Sequence, residues 1–315
     1  MTPSTNELHV IFGTGPVGYS TMTELLRLGQ RVRMVNRSGK LDAPAGVEVI
    51  AADAYDLSSA RKAVEGAAAV YQSAQPHYHE WVEKFPPLQA NILEAAAGVG
   101  ARLIVTDNLY MYGDPQGQTI TEKMPYRAHT RKGKVRQAMA EAVMAAHQSG
   151  KVRAAIGRAS DFWGPRDLAQ GARLFGAAVA GKTVDLVGNI HVPHSFTYVN
   201  DFGKALATLG TREDALGQVW IAPTNGPITQ AELVKLVEQA AGQPVKSRVA
   251  GRLLLSLVGL FNKPAGEVVE MLYEFNQPFV VSSQKFEHTF GIHPTPLEQA
   301  VKESVAWFKA NPSSK

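Results

Sequence analysis

The stretch from His9 to Ser38 changes its hydrophobic period twice, and few folds accept that pattern. Residues 9–12 form a short apolar run of the kind a buried parallel strand needs, and at Gly13 the apolar spacing turns helical. Gly29 closes the helical stretch, and residues 31–35 read as a second strand. At the first junction stand Gly13, Thr14, Gly15, Pro16, Val17 and Gly18, a complete Gly-x-Gly-x-x-Gly run. The three glycines have different tasks: Gly13 permits the tight turn, Gly15 lets a pyrophosphate approach the backbone, and Gly18 lets helix pack on strand. Pro16 suits the first helical turn, where a missing N–H costs nothing. The unpaired N–H groups of that turn and the positive end of the helix dipole favour a doubly charged pyrophosphate. Strand, glycine turn, helix and strand together predict a dinucleotide site.

The end of the second strand selects among dinucleotides. An NAD site usually has Asp or Glu there, holding the ribose 2′-hydroxyl. This chain has Asn36, followed by Arg37, Ser38 and Lys40. No carboxylate repels a 2′-phosphate, Arg37 offers a planar fork to its oxygens, and Ser38 offers a hydroxyl. NADP is therefore expected in preference to NAD.

A chain of 315 residues, 45% of them hydrophobic, has room for one large or two modest domains with a sizeable core. Lys and Arg number 32 against 28 Asp and Glu, a net charge of +4 that is too small and dispersed to argue for nucleic acid. The absence of cysteine excludes disulfides, thiolate catalysis and zinc–sulfur sites. No basic segment with an apolar run behind it opens the sequence, and no run reaches the length of a membrane span. A soluble cytoplasmic protein is expected, with a small-molecule substrate and neither a membrane nor a nucleic acid as partner.

Beyond residue 40 the alternation continues. Residues 47–51, 68–73, 103–106 and 152–156 read as strands three to six, with helical patterns at 57–65, 87–97 and 130–147 between them. After Pro165 the rhythm breaks into short strands at 184–187, 194–199 and 219–222 and helices at 174–180, 201–211, 230–241, 252–260, 267–274 and 297–309. The expected fold class is α/β: a Rossmann-type doubly wound parallel sheet with a smaller mixed α/β C-terminal substrate domain. Residues 1–165 with 194–227 are assigned to the dinucleotide-binding domain, and 166–193 with 228–315 to the substrate-binding part.

Several short motifs, in order, complete a resemblance. They are the glycine run, Asp53 after the third strand, Tyr112 and Gly113 after the fifth, residues 158–165 after the sixth, residues 196–201, and the tail from Ser283 through Gly291, Pro294 and Leu297. Together they resemble the extended short-chain dehydrogenase/reductases, the family of nucleotide-sugar epimerases and dehydratases. The resemblance implies that Asp53 meets the adenine amino group with Ala54 beside the ring. It also implies that Ser73, Ala74 and Gln75 pass under the ribose and nicotinamide, and that Ala159 and Ser160 lie by the carboxamide, with Arg158 and Asp161 structural.

The chain departs from that family at its reaction centre, a Tyr-x-x-x-Lys pair in which the phenol exchanges a proton with substrate and the lysine lowers its pKa and holds the ribose. None of the 9 tyrosines has lysine four residues on, and the usual Ser position holds Asn108. Anchoring the following helix on lysine puts Thr130 and Lys134 at the two positions, whereas anchoring it on Glu141 puts Gly133 and Gln137 there. The first register is preferred, with Lys134 reaching the ribose hydroxyls. Tyr110, two residues past Asn108, becomes the first candidate proton donor, with Asn108 steadying the same oxygen; Tyr126 and His129 come next. The basic cluster of Arg127, Arg131, Lys132, Lys134 and Arg136 reads as a solvated helix face, and His77 with His79 as a surface pair rather than a metal site. Phe162, Trp163 and His194 either shape an aromatic pocket or fill the core.

Three functions are open to such a chain. The first is an NADP(H)-dependent oxidoreductase acting on a small carbonyl or activated alkene. The second is a nucleotide-sugar-type epimerase or dehydratase that holds its cofactor tightly and recycles the hydride. The third is a non-catalytic NADP(H)-binding sensor. The resemblance implies a homodimer paired through the helices after the fourth and fifth strands, with Leu88, Ile92 and Leu93 and Met139, Val143 and Met144 as its surface unless they face the sheet.

Overall fold

The computed structural model describes residues 6–250 and 269–312. The helix expected at 252–260 and the start of the one at 267–274 lie outside them. By its contacts the chain divides into two compact units, the first made of residues 1–111, 131–159 and 202–222 and the second of 112–130, 160–201 and 223–315.

The first unit is built on seven parallel strands. β1 (Leu8–Phe12), β2 (Arg31–Asn36), β3 (Glu48–Ala51), β4 (Ala69–Gln72), β5 (Arg102–Asp107), β6 (Arg153–Arg158) and the strand Val219–Ile221 make one sheet. Its order is Val219–Ile221, β6, β5, β4, β1, β2, β3. Val10, Ile11, Val70, Leu103 and Ile104 are fully buried, as strands covered by helices on both faces must be. Each such side chain contributes roughly 1.5–3 kcal/mol of burial. From β1 the chain winds outward to β2 and β3, then returns to β4 on the other side. The carboxyl ends of β1 and β4 thus flank the switch point where ligands bind in open parallel sheets.

Helices α1 (Pro16–Arg27), α2 (Leu57–Ala63), α3 (Trp81–Gly98) and α4 (Arg131–Gln148) connect these strands, with Val199–Thr211 before the last. α3 starts six residues ahead of the expected Pro87, and both Pro86 and Pro87 lie inside it. Lacking an N–H, they cannot donate to the carbonyls of residues 82 and 83 one turn earlier, and Val82 is 46% exposed, so water can serve that carbonyl. Leu88, Ile92, Leu93, Met139 and Val143 are buried in the core of this unit and Met144 packs against it, while Leu93 and Met139 also line a groove between α3 and α4.

The second unit has its own core of Trp163, Phe175, Leu186, Leu233, Val301 and Phe308. Phe162–Trp163 pairs with Thr197–Tyr198, and Val184–Val187 with Ser247–Ala250, both in parallel. The helix Gln230–Ala241 has the bounds its sequence predicts, because both ends are specified. Thr229 Oγ1 accepts the Glu232 N–H while Glu232 Oε2 accepts the Thr229 N–H, and Gly242 closes the far end at φ 74°. Residues 112–130, 160–165, 194–201 and 223–227, expected with the large sheet, belong to this unit instead. Their backbone pairs here: Ile120 bridges Val281, and His194 bridges Ile228 and Phe279. The expected strand 194–199 shortens to Thr197–Tyr198. Among the described residues no helix is long and apolar enough to cross a membrane.

Candidate active site

The glycine turn ends β1. Gly13 has φ +107°, its N–H donates to the Val35 carbonyl at 3.0 Å, and a Cβ there would stand 2.5 Å from the Ala74 nitrogen. A Cβ on Gly18 would stand 2.0 Å from the Gly13 oxygen. These two are glycine because the chain packs against itself. Gly15 is different: at φ −72° and ψ −175° its backbone suits any residue, and its Cβ would meet nothing within 4 Å among the described residues. It is the N-cap of α1, Pro16 follows, and no side chain caps the helix. Open space before uncapped N–H groups at a helix start is what a pyrophosphate needs, so the chain here fits a dinucleotide.

At the end of β2 the Asn36 carboxamide is committed to its own turn. Its Oδ1 accepts the N–H groups of Ser38 and Gly39 at 3.0 and 2.7 Å and the Ser38 hydroxyl at 3.0 Å. Its Nδ2 donates to the Lys40 carbonyl at 2.9 Å and to Thr14 Oγ1 at 3.3 Å, tying this turn to the glycine turn. Arg37 and Lys40 are left exposed, with no carboxylate on this strand end. After β3, Asp53 Oδ1 accepts the Tyr55 N–H at 2.9 Å, and the Ala54 carbonyl accepts from Asn91 of α3 at 3.0 Å. After β4, Ser73 Oγ lies 3.0 Å from Thr106 Oγ1, its N–H donates to the Phe12 carbonyl at 2.8 Å, and Gln75 is exposed. Ala159 follows β6, its N–H donating to the Asp107 carbonyl at 3.2 Å. The first unit thus gathers Gly13 to Gly18, Asn36 to Ser38, Asp53, Ala54, Ser73 to Gln75, Asn108 and Ala159 at the carboxyl ends of one sheet. Ser160 belongs to the second unit, where its N–H donates to Thr197 Oγ1 at 3.2 Å.

The end of β5 carries a buried charge cluster that sequence reasoning missed. Asp107 Oδ1 accepts Arg136 Nε at 2.8 Å and also Nη2, while its Oδ2 accepts Arg158 Nε at 2.9 Å. Arg136 lies over the rings of Phe85 at 4.5 Å and Trp81 at 5.7 Å. Asn108 Oδ1 accepts the Tyr110 N–H at 3.2 Å, and the Tyr110 hydroxyl is 3.2 Å from that of Tyr78. Lys132 is 1% exposed, with Nζ 4.4 Å above the Tyr78 ring. The expectation that Lys134 reaches the ribose does not survive this geometry: Lys134 is exposed and lines a groove between α3 and α4 with Gln89, Ala90 and Ala138. Nor is the basic cluster a solvated face, since Lys132 and Arg136 are buried. His77 and His79 are exposed and stack at 6.0 Å.

In the second unit, Tyr126 packs edge-on to Tyr112 at 5.6 Å, and His129 lies 4.8 Å from the Tyr273 ring. His194 is buried, with Nε2 3.0 Å from Asp161 Oδ2 and Nδ1 3.1 Å from the Glu274 carbonyl, and it stacks on Phe275 at 4.9 Å. Burial pushes the Asp161 carboxyl up, but the hydrogen bond and charge of His194 outweigh it and hold the group below the usual range. Burial first, and then the Asp161 charge, push the Glu274 carboxyl well above that range. His194 is therefore structural, inside an aromatic and carboxylate frame.

A glycine cradle at the carboxyl ends of a parallel sheet defines a Rossmann-type NAD(P)-binding protein. Residues 10–221 match the NAD dependent epimerase/dehydratase family, and the chain belongs to it. The crystal structure of UDP-glucose 4-epimerase from Thermus thermophilus in complex with NAD superposes with a TM-score of 0.79 at 20% identity, covering 96% of this chain and 99% of that one. That of dTDP-glucose 4,6-dehydratase from Bacillus anthracis str. Ames in complex with NAD gives 0.81 at 14% identity, covering 98% of each chain. These likenesses show the fold. Among curated proteins, 3beta-hydroxysteroid-dehydrogenase/decarboxylase isoform 2 of Arabidopsis thaliana is 25% identical over 252 residues, which are 74% of this chain and 43% of that protein. The chain spans less than half the length of that relative.

Proposed function

We propose that this protein is an NAD(P)-dependent epimerase or dehydratase acting on a hydroxylated, nucleotide-sugar-type substrate. The observation that carries the reading is the family match over residues 10–221, which spans the glycine turn and the ends of β1 to β6. It favours recycling of a tightly held cofactor over net reduction of a small carbonyl or alkene. Bound, the nicotinamide supplies a hydride acceptor and donor. Gly13, Thr14, Gly15, Pro16, Val17 and Gly18 hold the pyrophosphate, Asp53 and Ala54 the adenine, and Ser73, Ala74, Gln75 and Ala159 the nicotinamide end. Asn108 and Tyr110 serve the substrate oxygen. Arg37, with no carboxylate beside it, makes NADP the preferred form, while Asn36 shapes the turn that presents it.

The test is made on protein as purified. Denaturation should release bound cofactor, mainly NADP, and a nucleotide-sugar panel should be converted to isomers or dehydrated products with none added. By nicotinamide fluorescence NADPH should bind at least about tenfold tighter than NADH, a charge-assisted phosphate contact being worth roughly 1.5–3 kcal/mol, and Arg37→Ala should erase most of the difference. Stoichiometric consumption of NADPH against a carbonyl would replace this reading with net oxidoreduction, which the dehydrogenase in the Arabidopsis relative's name favours. Tight binding with no turnover of any kind would leave the sensor.

A further inference from the structure

We propose that Tyr78 and Tyr110 form one acid–base unit, with Lys132 holding its ionised form, in place of the Tyr-x-x-x-Lys pair this chain lacks. The proposal rests on the epimerase/dehydratase reading for the substrate hydroxyl it serves, and on nothing else in it.

Two loops at the carboxyl ends of adjacent strands bring the phenols together. Tyr78 opens the turn Tyr78–Glu80 after β4, and Tyr110 opens the turn Tyr110–Tyr112 after β5, with the two hydroxyls 3.2 Å apart. Both rings are fixed by a third. Trp81 meets Tyr78 edge-on at 5.0 Å and lies 6.0 Å from Tyr110, while its indole N–H donates to the Pro76 carbonyl at 3.3 Å and pins the first loop. The second loop is held by the bond from the Tyr110 N–H to Asn108. Such a pair is preorganised.

Lys132 gives the pair its charge preference. Above a neutral phenol ring an ammonium gains only from the ring quadrupole, but above a phenolate it gains from a full negative charge, so it favours ionisation. The partner hydroxyl acts in the same direction by donating a hydrogen bond to the phenolate, and it opposes loss of the second proton. The described charges around the pair are engaged elsewhere or exposed. Glu80, on the same turn as Tyr78, is paired with Lys84. Arg136 lies over Trp81, and Asp107 is shared between Arg136 and Arg158. His77 and His79 are exposed.

The step assigned is a proton transfer. The phenolate oxygen of the pair accepts the proton of a substrate hydroxyl, one O–H bond forming as the other breaks, and the negative charge passes to the substrate oxygen. The reverse transfer returns it. Within the pair, the neutral phenol passes its proton across the 3.2 Å contact, so either oxygen can face the substrate.

Ultraviolet phenolate absorbance of the purified protein, recorded against pH without substrate, is the test. Of the 9 tyrosines, one should ionise about one to two pH units below the usual phenol value of about 10. Tyr71 and Tyr198, which burial pushes up, cannot supply that signal. It should vanish in Tyr78→Phe, which removes the phenol under Lys132, move up in Tyr110→Phe and in Lys132→Met, and return in Lys132→Arg. Absence of an early phenol in the wild type, or its survival in Tyr78→Phe, overturns the proposal. Should Lys132→Met not fold, the two Phe variants decide alone. Because no substrate enters, a failed titration removes the pair and leaves the proposed function standing, whereas absent turnover with the early phenol present removes the function and leaves the pair.

Discussion

Gly15 shows most clearly how a single residue separates a ligand's demands from the fold's. Gly13 and Gly18 are held to glycine by contacts of 2.5 and 2.0 Å that a Cβ would make with backbone, but no atom of the described chain asks the same of Gly15. Gly15→Val should therefore fold with a Tm close to wild type and lose NAD(P) binding, since its side chain enters the pyrophosphate's space. Gly18→Ala should lower Tm instead. Thermal melting with nicotinamide fluorescence reads both, and unchanged cofactor affinity in Gly15→Val would remove this turn from the site. The tasks of Gly13 and Gly18 were legible because they follow from chain geometry that the motif repeats wherever it occurs. The work of Asn36 was not. By position it stands where an NAD site has its ribose-holding carboxylate, yet its short carboxamide reaches the N–H groups of Ser38 and Gly39 first, a local competition that position alone does not reveal.

Whole elements were easier to find than their phase. The strands, the glycine-turn helix and the helix from Gln230 to Ala241 announce themselves through period and caps, but α4 shows what period without phase misses. Its basic residues read as one solvated cluster. Phased at 3.6 residues per turn, Lys132, Arg136, Met139, Ala140 and Val143 share one face, and all five are buried, while Lys134 stands off it. That signal was in the sequence, and the polar character of the side chains hid it. The burial is possible because Asp107, the last residue of β5, ties α4 to β6 through Arg136 and Arg158. Removing one member of a buried ion cluster strands the others, so Asp107→Ala should cost about 3–5 kcal/mol. Urea unfolding measures it, and a loss below about 1 kcal/mol would mean that the arginines are satisfied without this carboxylate.

At the scale of the molecule, stability in acid is set against itself by two buried groups of opposite kind. His9, on β1, is fully buried, and burial first and then the Arg102 charge lower its pKa from 6.5 to about 3. The approach of its Nε2 to Glu7 at 3.8 Å does not rescue the charged form, because Glu7 is committed to Arg102, and Nδ1 is taken by the Tyr71 hydroxyl at 2.8 Å. Above pH 6.5 the folded and unfolded states both hold a neutral imidazole, and His9 has no effect on stability. Below it the unfolded chain binds a proton that the folded one refuses until about pH 3, so stability falls with pH throughout that window. The full loss amounts to roughly 4 to 5 kcal/mol at about 1.4 kcal/mol per pH unit. Glu274, in the second unit, has the reverse sign: its folded pKa is raised, so its contribution is present at low pH and fades as pH rises above the usual carboxylate value. Acid therefore weakens the sheet around β1 while favouring the frame around Glu274, and substitution at His9 isolates the first effect. His9→Gln keeps a polar partner for Tyr71 but cannot take up the proton. Between about pH 6.5 and pH 4.5 it should lose about 2 to 2.5 kcal/mol less than wild type in urea unfolding. Parallel pH profiles for the two proteins would show that His9 is already charged in the folded sheet, with Glu7 as its partner after all.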